Sequence, residues 1–294
     1  MDSVPYAFID SVVELFDGRR TLNPLAQEVK HPLWKANEAL NLFPKKKGVY
    51  TVGDLGPIRK NRRFARIIEI TDDFFDSEDI DPQEDEEATK LLEAVVSQFE
   101  SSSRLNSTIF SCLETQQFLL NSLAEKARLA SIYLCYFGQA SLDLLERQIR
   151  HSPFLKSVTL VYRNWPESVL PLITTFCLKG RPGHPVTMTL HACKLVSGSY
   201  IQNLFKLWQA NGNLHFSLKS SIAIVDAHQL TDKGILNKQI QYRSEHYFKH
   251  ETKKSVAYFK LHEHIGFTLK FYTCACGLSR PCTLKERYPN LHEF

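Results

Sequence analysis

Apolar and polar positions alternate in four short stretches between residues 131 and 220. The stretches read IYLCYF, SVTLVY, VTMTLHAC and LHFSLKS, and their first alternating apolar residues are Ile132, Val158, Val186 and Leu214. These four residues follow one another at intervals of 26, 28 and 28 positions. A period of two is typical of a β-strand that buries one face, so we predict four strands at a regular spacing.

The segments between these stretches have the pattern of amphipathic helices. They read SLDLLERQIRHS, ESVLPLITTFCLKG and SYIQNLFKLWQANG, and each ends near Gly, Asn or Ser. One strand and one helix every 26 to 28 residues falls within the range of about 20–29 residues for leucine-rich repeats. In such arrays each unit buries its apolar face against its neighbours. The Asn ladder of that repeat is absent, and a doubly wound sheet has the same alternation of strands and helices.

The pattern changes after about residue 236. QIQYRSEHYFKH, SVAYFKLHEH and FTLKFYTC alternate as strands and are joined by short polar or glycine-containing turns. Short turns connect antiparallel neighbours, so we predict antiparallel strands that cap the open end of the array. A tail rich in Cys and His follows them.

The N-terminal third predicts smaller elements. Ser3, Val4 and Pro5 are typical of a helix start, and Phe8, Val12 and Phe16 place apolar side chains on one face of a first helix that Gly18 ends. Short strands are expected at 49–52 and 64–70, and helices at about 86–99 and 114–128. Residues 72–87 contain ten carboxylates in 16 positions, which predicts a solvated linker.

These patterns divide the chain into four parts: an N-terminal helical segment, a strand hairpin with an acidic linker, a strand–helix domain and an antiparallel cap with a Cys/His tail. The predicted bounds are 1–44, 45–85, 86–236 and 237–294.

Composition excludes several classes of protein. The net charge of the 294 residues is +4, too small to require an acidic partner. The basic stretch between 45 and 66 is followed by the acidic linker, so we predict a solvated loop there and no nucleic-acid binding. Asp10 and Glu14 interrupt the first apolar stretch, and no apolar run is long enough to span a bilayer, so we expect no signal peptide and no membrane partner. Seven cysteines, mostly within apolar segments, indicate free thiols in the cytoplasm or nucleus.

The sequence contains none of the local motifs that identify common enzyme classes. A dinucleotide-binding GxGxxG after a strand, a phosphate-binding GxxxxGK[ST], an HExxH and a GxSxG are all missing from the sequence. We therefore expect a protein that is not an enzyme and needs no cofactor, although a catalytic site built from distant residues would leave no such motif.

The tail CACGLSRPC is the one arrangement that resembles a metal site. Cys274, Cys276 and Cys282 are candidate zinc ligands, with His262, His264 and His292 nearby. Because the spacing C-x-C differs from the usual C-x(2–4)-C and no second pair follows, we expect free thiols at a strand end, with zinc as the alternative.

The first 34 residues resemble an F-box. A hydrophobe–proline pair, VP, opens the helix VPYAFIDSVV, and spaced leucines lead to a valine and then to Trp34, 29 positions after Pro5. The C-terminal CACGLSRPCTLKERYPNLHEF is similar to the tail of the F-box-associated domain in the expanded nematode F-box families. The resemblance therefore covers nearly the whole chain but rests on motifs at its two ends.

This resemblance implies a fold and a function. The predicted fold is α/β: the resemblance implies a small F-box-like helical segment, and the regular spacing favours leucine-rich-repeat-like strand–helix units, with an antiparallel C-terminal cap, over a doubly wound sheet. The implied function is a substrate adaptor of a Skp–cullin–RING ubiquitin ligase, whose repeat-like domain holds a protein substrate by residues that the sequence does not identify. The positions that would contact the Skp-type adaptor are Val4, Pro5, Phe8, Ile9, Val12 and Leu25. The alternative is a stand-alone protein-interaction or scaffolding domain, because the same apolar stripe suits a helix packed in a core.

Overall fold

In the computed structural model of the chain, the described residues begin at Ala39 and become nearly continuous from Phe99 onward. They are 39–40, 49–50, 67–71, 99–107, 113–126, 128–162, 164–224, 226, 230, 243–262, 266–278 and 281–292. The fold is mixed α/β, with mostly parallel strands and an antiparallel C-terminal part, as predicted. The chain forms two compact units: unit 1 contains residues 1–133 and 137–154, and unit 2 contains residues 134–136 and 155–294.

Unit 1 is built from short parallel strands and two helices. Its elements are β1 (Ala39–Leu40), β2 (Val49–Tyr50), β3 (Ile67–Thr71), β4 (Phe99–Asn106), α1 (Leu113–Lys126), the first three residues of β5 (Ser131–Cys135) and α2 (Gln139–His151). β1 pairs with β2, β3 with β4, and β4 with β5, all in parallel. Ile70, Leu105 and Ile132 lie side by side in this register and are fully buried. They form one row of the unit 1 core.

Unit 2 contains a larger sheet, ordered β6-β7-β8-β11-β10-β9. Its strands are β6 (Ser157–Val161), β7 (Val186–His191), β8 (Phe216–Ser220), β9 (Arg243–Lys249), β10 (Ser255–His262) and β11 (Gly266–Thr273). Its helices are a 3-10 turn (Glu167–Val169), α3 (Leu170–Leu178), α4 (Gly198–Asn211), α5 (Thr283–Arg287) and α6 (Pro289–His292). β6, β7 and β8 are parallel, whereas β8–β11, β11–β10 and β10–β9 are antiparallel.

The four strands predicted from alternation are confirmed as β5 to β8, and the three amphipathic segments between them are helical. The predicted antiparallel strands of the C-terminal part are confirmed as β9 to β11. The helix predicted at about 114–128 is α1. Within the described residues, no helix combines the length and the apolar character that crossing a membrane requires.

The predictions for the N-terminal third are largely outside the described residues. This holds for the first helix, for the acidic linker and for the predicted domain boundaries at 44, 85 and 236. Val49–Tyr50 lies within the first predicted strand and Ile67–Thr71 overlaps the second, but the first pairs with β1 and the second with β4.

Strand β4 is missing from the sequence prediction, which ended a helix at about residue 99. Only Phe99 of that predicted helix is described, and it begins the strand. Ser103 and Ser107 occupy buried positions on either side of Leu105. Because these buried residues are polar, the sequence does not show the alternation that identifies a strand with one buried face. Burial of Ser107 is compatible with its polarity because its hydroxyl donates a hydrogen bond to Oε1 of Gln116, 2.8 Å away.

The helices between the parallel strands of unit 2 pack on one face of the sheet. β6, β7 and β8 lie side by side in chain order. Because crossovers between parallel strands are right-handed, successive helices fall on the same side of the sheet. The Thr174 hydroxyl of α3 lies 2.9 Å from the Tyr200 hydroxyl of α4, so these helices are neighbours. Phe205 of α4 contacts Phe271 of β11 edge to face, with ring centroids 5.6 Å apart. We call the face that carries Phe271 the helix-covered face and the opposite one the open face.

A buried hydrogen-bond network ties α4 to the antiparallel strands. Nε1 of Trp208 donates to the hydroxyl of Ser255 at 2.8 Å, and that hydroxyl lies 3.1 Å from Oγ1 of Thr273. Thr273 in turn donates to the carbonyl oxygen of Leu214 at 2.8 Å. Because these groups are shielded from water, each would be costly to leave unpaired. The network therefore fixes the end of β11, immediately before Cys274.

A close backbone approach at Gly180 gives a test of this packing. A Cβ at this position would lie 2.3 Å from the carbonyl oxygen of His215, an atom of the backbone that cannot move aside alone. We expect Gly180→Ala to lower the free energy of unfolding by about 1–3 kcal/mol, measured by urea denaturation. Gly277→Ala is the control, since nothing lies within 4 Å of its new Cβ. Equal stability of the two variants would contradict this packing.

Candidate metal centre

Three cysteines and one histidine converge just beyond the end of β11. Cys274 and Cys276 follow the strand directly, Cys282 precedes α5, and His292 ends α6. The three Sγ atoms and one ring nitrogen of His292 all lie within 4.8 Å of one another. Cys282 is buried, Cys274 and His292 are half-buried, and Cys276 is exposed. The pairing of β11 with its neighbours thus fixes the positions of Cys274 and Cys276. The short helices α5 and α6 bring Cys282 and His292 close to them.

The separations among these atoms are close to those around a single tetrahedral zinc ion. Nε2 of His292 lies 3.2 Å from Sγ of Cys274 and 3.1 Å from Sγ of Cys276. The Sγ atoms of Cys282 and Cys274 are 4.0 Å apart. With Zn–S and Zn–N bonds of ordinary length, a tetrahedron has edges of about 3.8 Å between sulfurs and about 3.6 Å between sulfur and nitrogen. These three separations differ from the ideal edges by about half an ångström or less, and the other three are no longer than 4.8 Å.

The kind of residue also fits zinc. Thiolate sulfur and imidazole nitrogen are its preferred protein ligands, and three cysteines with one histidine form a common structural set. Four protein ligands would fill the tetrahedron and leave no position for water or substrate. Such a centre would hold chain segments together and would not catalyse a reaction.

The thiols of the cluster interact with one another, and this changes their pKa values. The pKa of Cys276 is raised to about 11, first by a hydrogen bond with Cys274 and then by burial and by interaction with Cys282. Burial raises the pKa of Cys282, but hydrogen bonds from the backbone N–H groups of Ala275 and Lys285 and from the other two thiols outweigh burial and lower it. The Ala275 nitrogen lies 3.3 Å from the Cys282 sulfur. These hydrogen bonds therefore favour the thiolate form of Cys282 over that of Cys276.

The tail that carries Cys282 and His292 packs on the open face of β10 and β11. Leu284 is fully buried there against a small core, and Tyr288 and Leu291 cover its edge. The core comprises Val256, Tyr258, Tyr272, Ala275, Cys282 and Leu284. The ring of Tyr288 lies 5.3 Å from that of Tyr272 and 5.6 Å from that of Tyr247. The cluster thus joins the end of the sheet to a tail with few apolar anchors.

Polar residues form rows across the rest of the open face in unit 2. In one row, residues of all six strands lie side by side: Thr159, Thr189, Lys219, Thr268, Lys260 and Glu245. Lys260 and Glu245 form an ion pair at its antiparallel end. Every member is half-buried or exposed. This row of the open face is therefore hydrophilic.

Of the site residues predicted from sequence, the structure brings Cys274, Cys276 and Cys282 together. It adds His292 as the fourth member and separates His262, which pairs with Gly266 at the far end of the β10–β11 hairpin. Gly266 precedes Thr273 by seven positions, so about 23 Å of strand separate His262 from the cluster. His264 lies outside the described residues. Cys-x-Cys and a histidine ten positions beyond Cys282 were the only signal in the sequence, and the spacing alone could not choose among three histidines.

The residues predicted to bind a Skp-type adaptor all lie outside the described residues. They are Val4, Pro5, Phe8, Ile9, Val12 and Leu25.

The small core under the tail predicts how the tail can be released. Leu284→Ala removes a fully buried side chain and should destabilise tail docking by about 2–4 kcal/mol, because the cavity has few neighbours that can close it. Hydrogen exchange of the backbone amides of residues 282–288 and 290–292 should then accelerate. Leu278→Ala is the matched control, since Leu278 is exposed. The assigned packing is incorrect if both variants exchange like the wild type.

His215 predicts a pH dependence of stability. It is buried beside Tyr272, at 5.7 Å between ring centroids, and its Nδ1 has no hydrogen-bond partner among the described residues. Burial lowers its pKa below 6.5, so the unfolded chain takes up a proton there at a higher pH than the folded chain does. Above about pH 6.5, His215 is neutral in both states and does not oppose folding. As the pH falls from there towards the pKa of the folded state, protonation of His215 in the unfolded chain lowers the free energy of unfolding.

We therefore expect His215→Gln to reduce the fall in unfolding free energy between pH 6.5 and 5, by up to about 1.4 kcal/mol per pH unit. Urea denaturation across this range measures it, with the exposed His191→Gln as control. Identical pH dependence in wild type and His215→Gln would show that His215 does not contribute.

Comparison with known proteins assigns no family to the chain. No protein-family model matches it, and no curated protein matches it. Only the sequence patterns and the geometry described above bear on its function.

Proposed function

We propose that the chain is a non-catalytic substrate adaptor of F-box type. The N-terminal segment, residues 1–44, docks a Skp-type adaptor protein that is bound in turn to a cullin–RING ubiquitin ligase. The strand–helix domain, with leucine-rich-repeat-like units, holds a protein substrate. The single observation that carries this proposal is the N-terminal layout, from the Val4–Pro5 pair to Trp34.

The chemistry of the N-terminal helix is compatible with docking to another protein. A helix that binds in a groove presents apolar anchors one turn apart, and Phe8, Val12 and Phe16 have that spacing. Asp10 and Glu14 fall on the other face and would remain in water. The pattern supplies both an apolar stripe for the partner and a charged surface for solvent.

The architecture of unit 2 supports the second half of the proposal. Its parallel strands follow one another side by side with helices on one face, the arrangement by which stacked repeats extend a sheet. The open face presents rows of threonine, serine and lysine whose side chains are half-buried or exposed. A doubly wound sheet would bury both faces of its central strands in apolar residues. A polar face on regularly spaced strands is instead suited to binding another protein.

Co-expression with a Skp-type adaptor tests the proposal. We expect the full chain to co-elute with the adaptor from a size-exclusion column. Pro5→Ala with Phe8→Ala should weaken the complex by at least about tenfold, because loss of a central apolar anchor typically costs 1 kcal/mol or more in an interface. Asp10→Ala with Glu14→Ala is the matched control and should bind like the wild type.

Two results would contradict the adaptor function. One is a wild-type chain that is folded, as judged by cooperative unfolding, yet forms no complex. The other is a Pro5→Ala, Phe8→Ala variant that binds like the wild type. Either result would leave the stand-alone protein-interaction domain as the better description.

A further inference from the structure

We propose that Cys274, Cys276, Cys282 and His292 bind one structural zinc ion that fixes the C-terminal tail to the open face of the unit 2 sheet. This inference is independent of the adaptor function, since it concerns only residues 255–292. The fold of the tail then depends on the bound metal.

The convergence of the four side chains is the first support. They come from the end of β11, from the loop after it, from the start of α5 and from the end of α6, yet their ligand atoms all lie within 4.8 Å of one another. Hydrogen bonds among free cysteines are too weak to hold them together in this way, because a thiol is a weak donor and a weak acceptor. Thiolates and imidazole do gather around a cation that they all ligate.

The position of His292 is the second support. Its Nε2 is almost equally far from two sulfurs, at 3.2 Å from Cys274 and 3.1 Å from Cys276. A single ring nitrogen either donates one proton or accepts one, so a hydrogen bond explains only one of these two approaches. A zinc ion placed between the nitrogen and both sulfurs explains both approaches at once.

A disulfide does not account for the same geometry. Sγ of Cys282 and Sγ of Cys274 are 4.0 Å apart, about twice the length of an S–S bond. Any pair among three cysteines would also leave one thiol unpaired beside His292. The set of three sulfurs and one nitrogen is instead complete for tetrahedral zinc.

The neighbourhood of Cys282 is the third support. Its sulfur accepts a hydrogen bond from the backbone N–H of Ala275, between the first two cysteines, at 3.3 Å. Backbone donors of this kind stabilise a metal-bound thiolate and fix its direction. The same contact closes the loop between Cys274 and Cys282 without contributions from distant side chains.

The short helices of the tail indicate which part of the fold the zinc would stabilise. α5 and α6 contain five and four residues, too few to be stable as isolated helices. Leu284 is the one fully buried side chain among the described residues 281–292. Zinc ligation by Cys282 and His292 would hold both ends of this segment, and metal binding supplies folding free energy directly. Tyr288 would then be kept over the tyrosines of β9 to β11.

The test is zinc binding by the full chain, purified in the presence of zinc and then dialysed. We expect one zinc per chain by elemental analysis. Replacement by cobalt should give a thiolate charge-transfer band and the intense visible bands of tetrahedral cobalt. Cys276→Ser and His292→Ala should each weaken zinc binding by more than about 100-fold in competition with a chelator, since loss of even an outer-shell partner costs 10–100-fold.

Two further variants, His292→Cys and Cys177→Ala, complete the design. Cys276 is exposed, so Cys276→Ser leaves the core intact if zinc is lost. His292→Cys supplies a fourth thiolate and should retain one zinc. Cys177→Ala removes a fully buried thiol on α3, away from the cluster, and this variant should also retain one zinc.

The proposal is overturned if the wild-type chain is metal-free after this purification. It is also overturned if Cys276→Ser and His292→Ala keep zinc with wild-type affinity, which would place the metal elsewhere. A disulfide among Cys274, Cys276 and Cys282 in the reduced, zinc-treated chain, detected by mass spectrometry after alkylation, would have the same meaning.

Discussion

The alternation of buried and polar side chains along the strands of unit 2 is the constraint on which its structure depends. Val158, Met188 and Leu218 lie in one row against the helices, and Thr159, Thr189 and Lys219 lie in the next row on the opposite face. Since a shift of one residue would exchange the two faces, burial of the first row fixes the register of every parallel strand. This register places the helices on one face of the sheet and the polar side chains on the other.

The antiparallel end of the sheet meets a different requirement. β11 continues the helix-covered face with Phe267, Leu269 and Phe271, all buried. On the open face, however, β10 and β11 carry Tyr258 and Tyr272, whose rings need cover, and the C-terminal tail provides it. The Trp208–Ser255–Thr273 network holds the end of β11, so the cysteines that follow start from a fixed point. The metal centre and the apolar contacts of the tail therefore depend on each other.

The sequence predicted the elements in which hydrophobicity and burial coincide. β5 to β8 and the helices between them could be placed because their inward positions are aliphatic or aromatic. β4 could not, because Ser103 within the strand and Ser107 directly after it are buried polar residues. The three cysteines were found as candidates from their spacing, whereas the choice of His292 over His262 required the β10–β11 register and the return of the tail. The N-terminal helix remains a prediction, since it lies outside the described residues.

The central structural claim is that three sulfurs and one nitrogen surround a single zinc. X-ray absorption at the zinc edge, on the metal-loaded full chain, measures this coordination shell directly. We expect three sulfur neighbours at about 2.3 Å and one nitrogen neighbour at about 2.0–2.1 Å. A shell of oxygen and nitrogen atoms alone, as surface histidines or carboxylates would give, would contradict it.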